Sequence, residues 1–183
     1  MVGESEQLSR RAWADSQLGA RADLQLVVQQ LVLAREIFAL VKPTVVVLLN
    51  GRPLAVNFLA GNADALIEGW YLGQETGNAV ADLVLGEVSP SGHLPVTMPR
   101  SVGQLPVFYN HKPSARRGYL FDEEAPLYPF GYGLSYTHSA HSQPPRVQET
   151  IALRDRALVP VSVTHSGHRL GAGVLPLDVR AAH

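Results

Sequence analysis

The period of the apolar positions changes along this chain, and each change marks an element. Ala63, Ala65, Leu66 and Ile67 lead almost without interruption to Trp70 and Tyr71. The run then breaks at Gly73 into a polar turn, which predicts a strand ending in a loop. From Asn78 the apolar residues Ala79, Val80, Leu83 and Val84 share one helical stripe that stops at Gly86. Ser89-Pro90-Ser91-Gly92 is a turn by composition, and Leu94 to Met98 is read as a short strand ended by Pro99.

The chain on either side of this stretch extends the pattern. Residues 1 to 23 are polar with few periodic apolar positions, and are expected to form a long surface loop. Leu24 to Leu40 lacks Gly and Pro, and its Leu26, Leu33, Ile37 and Leu40 predict a helix. Thr44 to Leu49, TVVVLL, is a β-branched run between Pro43 and Asn50-Gly51, as expected of a strand buried on both faces. After a loop around Asn57 to Asn62 comes the second strand, Ala65 to Tyr71. Helix, buried strand, strand and helix in that order imply a parallel sheet with helices on its faces. Residues 100 to 136 bring Phe108, Tyr109, Tyr119, Phe121, Tyr128, Phe130, Tyr132 and Tyr136 among Pro and Gly. That density of rings implies an ordered wrapping segment. His138 to Pro145 has linker chemistry, and short strands are expected around 147–153, 158–163 and 174–179.

Composition narrows the partners. In 183 residues a formal charge of −1 gives no basic face for phosphate neutralisation, so nucleic acid is not expected as a partner. Cysteine is absent, which excludes disulfides and thiolate chemistry. No apolar run reaches membrane-spanning length. MVGESEQLSRR has no apolar stretch behind its charges, is not a signal peptide, and reads as a chain that begins mid-domain.

Four long motifs carry a family resemblance: VVVLLNGRPLA (45–55), ADALIEGWYLGQETGNAVADLVLGEVSPSGHLPVTMPRSVGQLP (63–106), YNHKPSARRGYLFD (109–122) and PLYPFGYGLSYT (126–137). They resemble the C-terminal α/β sandwich domain of glycoside hydrolase family 3, which includes β-glucosidases and β-xylosidases. VSVTHSGHRLGAGV (161–174) is similar to the start of the fibronectin type III-like domain that follows in many members. The resemblance implies an α/β fold, a partial three-layer α/β/α sandwich with a mainly parallel sheet over residues 1–137, its N-terminal part missing. A linker at 138–145 and a truncated fibronectin type III-like segment at 146–183 follow.

The same resemblance implies a retaining two-carboxylate mechanism acting on a β-linked glucoside or xyloside. A nucleophile and an acid about 5 to 5.5 Å apart are needed. In the family the nucleophilic Asp comes from a (β/α) barrel, which this chain does not contain and for which a separate barrel domain or chain is the implied partner. The acid/base Glu sits on a loop after a VGE-like strand end, here ESEQLSRRAWADSQLGARA (4–22). Related sequences have Glu where this chain has Arg11, and a guanidinium stays protonated and cannot exchange a proton with a leaving group. Glu4 and Glu6 are the nearest carboxylates to that position. Other departures are Leu26-Val27-Val28-Gln29 for a Gly-Glu-Gln-like step, Thr76-Gly77 for a Gly-Gly pair, and Pro176 within an expected strand. Arg116, Arg117 and Asp122 are implied to border the leaving-group side, as planar donors and a carboxylate acceptor suit sugar hydroxyls; a surface ion pair is the other account. Full-length relatives are often periplasmic or secreted, and no cofactor is implied.

The remaining groups have plainer accounts. Glu75 and Asp82 are taken as carboxylates favouring a helix dipole. Trp70 and Tyr71 are expected in the core at the end of a buried strand, with sugar stacking as the alternative. His138-x-x-His141 and His165-x-x-His168 lack Cys and a third ligand, so no metal site is expected. Gly131-Tyr132-Gly133 lacks the third glycine of a dinucleotide loop and is read as a turn. Three functions remain open: the C-terminal part of a β-glycosidase, a non-catalytic carbohydrate-binding or interaction module, and a degenerate fragment with an exposed sheet edge.

Overall fold

The structure, a computed structural model, describes residues 1–3, 23–110, 123–142, 156 and 158–175. Within these, β2 (Val45–Leu49) is the middle of a three-stranded parallel sheet. Consecutive strand residues face opposite sides, so Val46 and Leu48 enter one layer and Val47 the other. All three are buried, as the β-branched run predicts. β1 (Val2–Gly3) pairs on one side, Val2 opposite Leu48 and Gly3 opposite Leu49. β3 (Ala65–Glu68) pairs on the other, from Ala65 opposite Val45 to Glu68 opposite Leu48. The fold class is α/β with a parallel sheet, as expected.

Two corrections concern the strands. Val2 and Gly3 belong to the sheet, although residues 1 to 23 read as surface loop, because two residues carry no period and only the edge of β2 makes them a strand. Gly3 tolerates this approach since it lacks a Cβ, which would lie 1.8 Å from the Leu49 carbonyl oxygen. β3 stops at Glu68, earlier than the predicted Tyr71, because Trp70 turns the backbone into the left-handed region at φ 51°.

Two helices cover one layer. α1 (Val28–Ala39) and α2 (Asn57–Asn62) contribute Ala34, Phe38, Phe58 and Leu59 to a cluster with Val2, Val46, Leu48, Leu54 and Leu66. Register places Val2, Val46, Leu48 and Leu66 on the same side of the sheet, which is why these helices meet them together. The Phe38 and Phe58 rings lie 5.7 Å apart, and the Arg35 guanidinium caps Phe58 at 5.1 Å. The buried stripe of α1 is Ala34 and Phe38, whereas Leu33, Ile37 and Leu40 of the predicted stripe are exposed. Small Ala34 lets the helix backbone approach the sheet, and that sets its rotation. The predicted loop at 57–62 is α2, with Leu59 buried beneath it. A parallel connection between β2 and β3 must cross back over the sheet, and a helical turn does so with its backbone bonds satisfied.

α3 (Thr76–Leu85) is the helix predicted from Asn78, begun two residues earlier. Its apolar stripe is not buried; Val84 and Leu85 are exposed. The strand expected at 94–98 reduces to one antiparallel bridge between Met98 and Tyr128, because Pro95 and Pro99 remove two ladder donors. The aromatic segment is ordered where described: Tyr128 and Tyr132 stack at 4.8 Å, and Tyr109 and Phe130 at 5.3 Å.

The chain divides into two compact units, residues 1–77 with 94–132, and residues 78–93 with 133–183. In the second unit, β4 (Ser139–His141) pairs antiparallel with β5 (Val163–His165). The opening of the stretch read as linker is thus a strand. Ser-Ala-His has no apolar alternation to announce it, and backbone bonds from Ser142 to Ser162 and from Ser166 to His138 flank the pairing. Tyr136 donates its hydroxyl to the Leu83 carbonyl at 3.0 Å and its N–H to Ser89 Oγ at 3.1 Å.

Removing Leu48, 1% exposed, as Leu48→Ala is expected to lower the unfolding free energy in urea by about 2 to 5 kcal/mol. Leu33→Ala, at a side chain 53% exposed, is expected to change it by less than about 0.5 kcal/mol. Equal losses would contradict the rotation assigned to α1.

Candidate functional site

Parallel strands all end at one edge of their sheet, and in open α/β sheets ligands bind outside that carboxyl edge. Here it receives the residues after Gly3, after Leu49 and after Glu68. Register carries the helix-covered layer, Val46 then Leu48, onward to Asn50, and its β3 counterpart, Leu66, onward to Glu68. The apolar layer therefore terminates in two polar side chains that meet.

Asn50 is 0% exposed. Its amide donates to the Arg52 carbonyl at 2.9 Å and to a Glu68 carboxylate oxygen at 3.4 Å. The other Glu68 oxygen accepts the Trp70 N–H at 3.1 Å. Burial raises the Glu68 pKa above its ordinary 4.5, since desolvation outweighs the bonds to Trp70 and Asn50 that favour the carboxylate. The Glu68 bond to Trp70 meets the chain where it turns left-handed, a conformation that costs roughly 1 to 3 kcal/mol for a non-glycine residue. Tyr71 follows, and its ring rests on Gly51, where a Cβ would fall 2.5 Å from the ring. Tyr71 is 68% exposed, so the expectation of a core position fails for it, while Trp70 is half-buried.

The sequence-proposed catalytic positions Glu4, Glu6 and Arg11 lie outside the described residues, but both ends of their loop are fixed at this edge. Before it, Gly3 pairs with Leu49 and donates its N–H to Gln30 Oε1 at 3.1 Å. After it, the Asp23 carbonyl accepts from Arg52 Nη2 at 3.2 Å, and the Leu24 carbonyl accepts the Ala55 N–H at 2.8 Å. The residues that flank 4–22 on both sides thus lie beside the end of β2.

Arg116, Arg117 and Asp122 also lie outside the described residues, whereas the chain that follows them is well anchored. Buried Gln104 accepts the Arg100 N–H at 2.7 Å and donates to the carbonyls of Glu123 and Ala125 at 2.8 and 3.4 Å. Arg100 adds a bond to the Ala125 carbonyl at 3.0 Å and an ion pair with Glu123 at 2.7 Å. Neither Gln104 nor Asn50 stood out in the sequence. Each is a polar residue beside a turn, and no local period distinguishes a buried one from a solvated one.

Other singled-out residues fall elsewhere. Glu75 directly precedes α3, but Asp82 lies in its second half and is not a helix-start carboxylate. His165 Nε2 is 2.7 Å from Thr137 Oγ1, and among the described residues no three His, Cys, Asp or Glu side chains gather as a metal site would need. Gly131, at φ 80°, makes a turn. A cavity of about 200 Å³ between Leu26, Arg35 and Phe58 is smaller than the roughly 300 to 1,000 Å³ of sites that enclose small ligands.

A three-stranded parallel sheet with helices packed on it is an α/β domain in architecture. The family model of the glycosyl hydrolase family 3 C-terminal domain matches residues 2–136, and the chain belongs to that family. A β-xylosidase of Formosa agariphila is 42% identical over 88% of this chain, and a periplasmic β-glucosidase of Salmonella typhimurium is 40% identical over 100% of it. The chain spans 23% and 25% of the lengths of these curated relatives. Among solved structures, a β-glucosidase from Erythrobacter marinus superimposes with a TM-score of 0.83 at 44% identity, over 92% of this chain and 22% of that one. The β-glucosidase of Listeria innocua in complex with glucose gives 0.63 at 40% identity, over 70% of this chain and 20% of that one.

Glu68 supplies a test of the edge. Its raised pKa means that its stabilising contribution is complete below the ordinary value and is lost as pH rises through the raised one. The melting temperature of the unmodified chain is expected to fall relative to that of Glu68→Gln as pH rises above the ordinary 4.5 and through the raised pKa. Parallel pH profiles for the two would contradict the desolvated carboxyl.

Proposed function

We propose that this chain is the portion of a β-glycosidase that forms the leaving-group side of its pocket, acting on β-glucosides or β-xylosides. The observation carrying the reading is membership in the family of the C-terminal domain, joined to a carboxyl edge at which both ends of the loop 4–22 are anchored. Relatives named β-glucosidase and β-xylosidase support both sugar classes equally. The proposed organisation is a family 3 domain at 1–137, a linker at 138–145 that opens with β4, and a fibronectin type III-like segment at 146–183.

In this reading Arg116 and Arg117 donate to sugar hydroxyls and Asp122 accepts from them. The nucleophile comes from a (β/α) barrel partner. Arg11 holds the acid/base position but is cationic at every working pH, so it can attract a carboxylate or a hydroxyl and cannot protonate the departing oxygen. Hydrolysis by this chain alone would thus lack both halves of the two-carboxylate mechanism.

The purified chain and its Arg11→Glu variant are both expected to leave nitrophenyl β-glucoside and nitrophenyl β-xyloside intact. Turnover by the unmodified chain that disappears in Glu4→Gln or Glu6→Gln would overturn this reading and identify a relocated acid. In binding titrations with the same aryl glycosides, Arg117→Ala and Asp122→Asn are each expected to weaken affinity about tenfold, the scale of one charge-assisted hydrogen bond. Unchanged affinity would remove these residues from the site.

A further inference from the structure

We propose that Asn50-Gly51 is a deamidation site which the fold holds closed, and that its conversion to aspartate opens the carboxyl ends of β2 and β3. The modification needs no enzyme and is independent of any sugar the chain serves. The backbone nitrogen of Gly51 attacks the side-chain carbonyl carbon of Asn50, the amide C–N bond breaks, and ammonia leaves with the proton from that nitrogen. Water then opens the cyclic imide to aspartate or to its chain-lengthened isomer, isoaspartate.

The first observation is in the sequence. Asn50, Asn57, Asn62, Asn78 and Asn110 are followed by Gly, Phe, Ala, Ala and His. Glycine alone lacks a Cβ to obstruct the attacking nitrogen. Ring closure is therefore least hindered at Asn50.

The second is how the fold restrains it. Gly51 lies at the surface, so the restraint falls on Asn50. That side chain is 0% exposed, and its amide nitrogen donates to the Arg52 carbonyl at 2.9 Å and to a Glu68 carboxylate oxygen at 3.4 Å. Ring closure requires the side chain to swing back over its own backbone, which breaks both bonds. The Tyr71 ring packs on Gly51 and limits the movement of that backbone. Reaction waits for the strand ends to open locally.

The third is what the product would meet. Both partners of the Asn50 amide are acceptors, a carbonyl and a carboxylate, and an NH2 group satisfies them. Aspartate in its place would set an acceptor-only group against the Arg52 carbonyl and a second negative charge against Glu68. Asn50 Oδ1 is buried with no hydrogen-bond partner among the described residues, so no donor stands ready to stabilise the new charge. Isoaspartate would also lengthen the backbone after Leu49 by one carbon. Either product separates the strand ends that the amide joins.

Peptide mass spectrometry of the full chain in mildly alkaline buffer tests this. In guanidinium chloride, Asn50 is expected to gain about 1 Da, as an amide becomes a carboxyl, ahead of the other asparagines. Without denaturant its conversion is expected to be at least about tenfold slower. Asn50→Asp is expected to melt roughly 5 to 15 °C below the unmodified chain in that buffer. The gap should narrow as pH falls, because one of the two facing carboxyls then takes a proton. Equal conversion of folded and unfolded chain would overturn the restraint, and deamidation led by another asparagine in the unfolded chain would overturn the site. An Asn50→Asp chain that melts with the unmodified one would overturn the consequence for the strand ends.

Discussion

Parallel pairing on both sides of β2 is the constraint from which the rest of this domain follows. Hydrogen bonding to β1 on one side and β3 on the other sends three strands in the same direction, so their following segments emerge at a common edge. The approach of β1 depends on Gly3, which has no side chain to collide with the Leu49 carbonyl. A bulkier residue there would separate β1 from β2.

The same register decides where polarity enters the core. Successive residues of one layer run from apolar Val46 and Leu48 to Asn50, and from Leu66 to Glu68. The two polar groups meet at the carboxyl edge of the sheet. Burial makes the Glu68 carboxyl harder to ionise, and the hydrogen bonds it accepts join the strand ends. Gln104 performs a comparable task on the aromatic segment, where one buried amide gathers backbone groups on both sides of residues 111–122. In both places a buried amide side chain ties together backbone or side-chain groups of separate segments.

Much of the architecture was legible in the sequence, for reasons that name its limits. The valine run of β2 between Pro43 and Asn50-Gly51 fitted a strand buried on both faces, and α1 and α3 were announced by their lack of breakers or their stripe. Motif agreement led to the family directly. Local pattern failed where long-range contact decides: β1 is a strand only because β2 offers an edge, and α2 forms because a parallel crossover must return. Tyr71 sits in an apolar run, yet the turn at Trp70 carries it to the surface. Ala34 is buried in place of Leu33 because helix rotation depends on the sheet below. The positions the sequence proposes for catalysis and sugar binding, Glu4, Glu6, Arg11, Arg116, Arg117 and Asp122, lie outside the described residues. Asn50, Glu68 and Gln104 were not legible in the sequence, since only three-dimensional proximity gives them partners.

The central claim is that the carboxyl edge of the sheet is the sugar-facing side of this chain. Mapping backbone amide shifts of the full chain during a cellobiose titration tests it most directly. The account predicts that perturbations among the described residues gather at Asn50 to Arg52 and Glu68 to Leu72, with Thr44, Val45, Asp64 and Ala65 at the opposite edge unmoved. Perturbations centred on the opposite edge, or a titration that moves no amide, would contradict it.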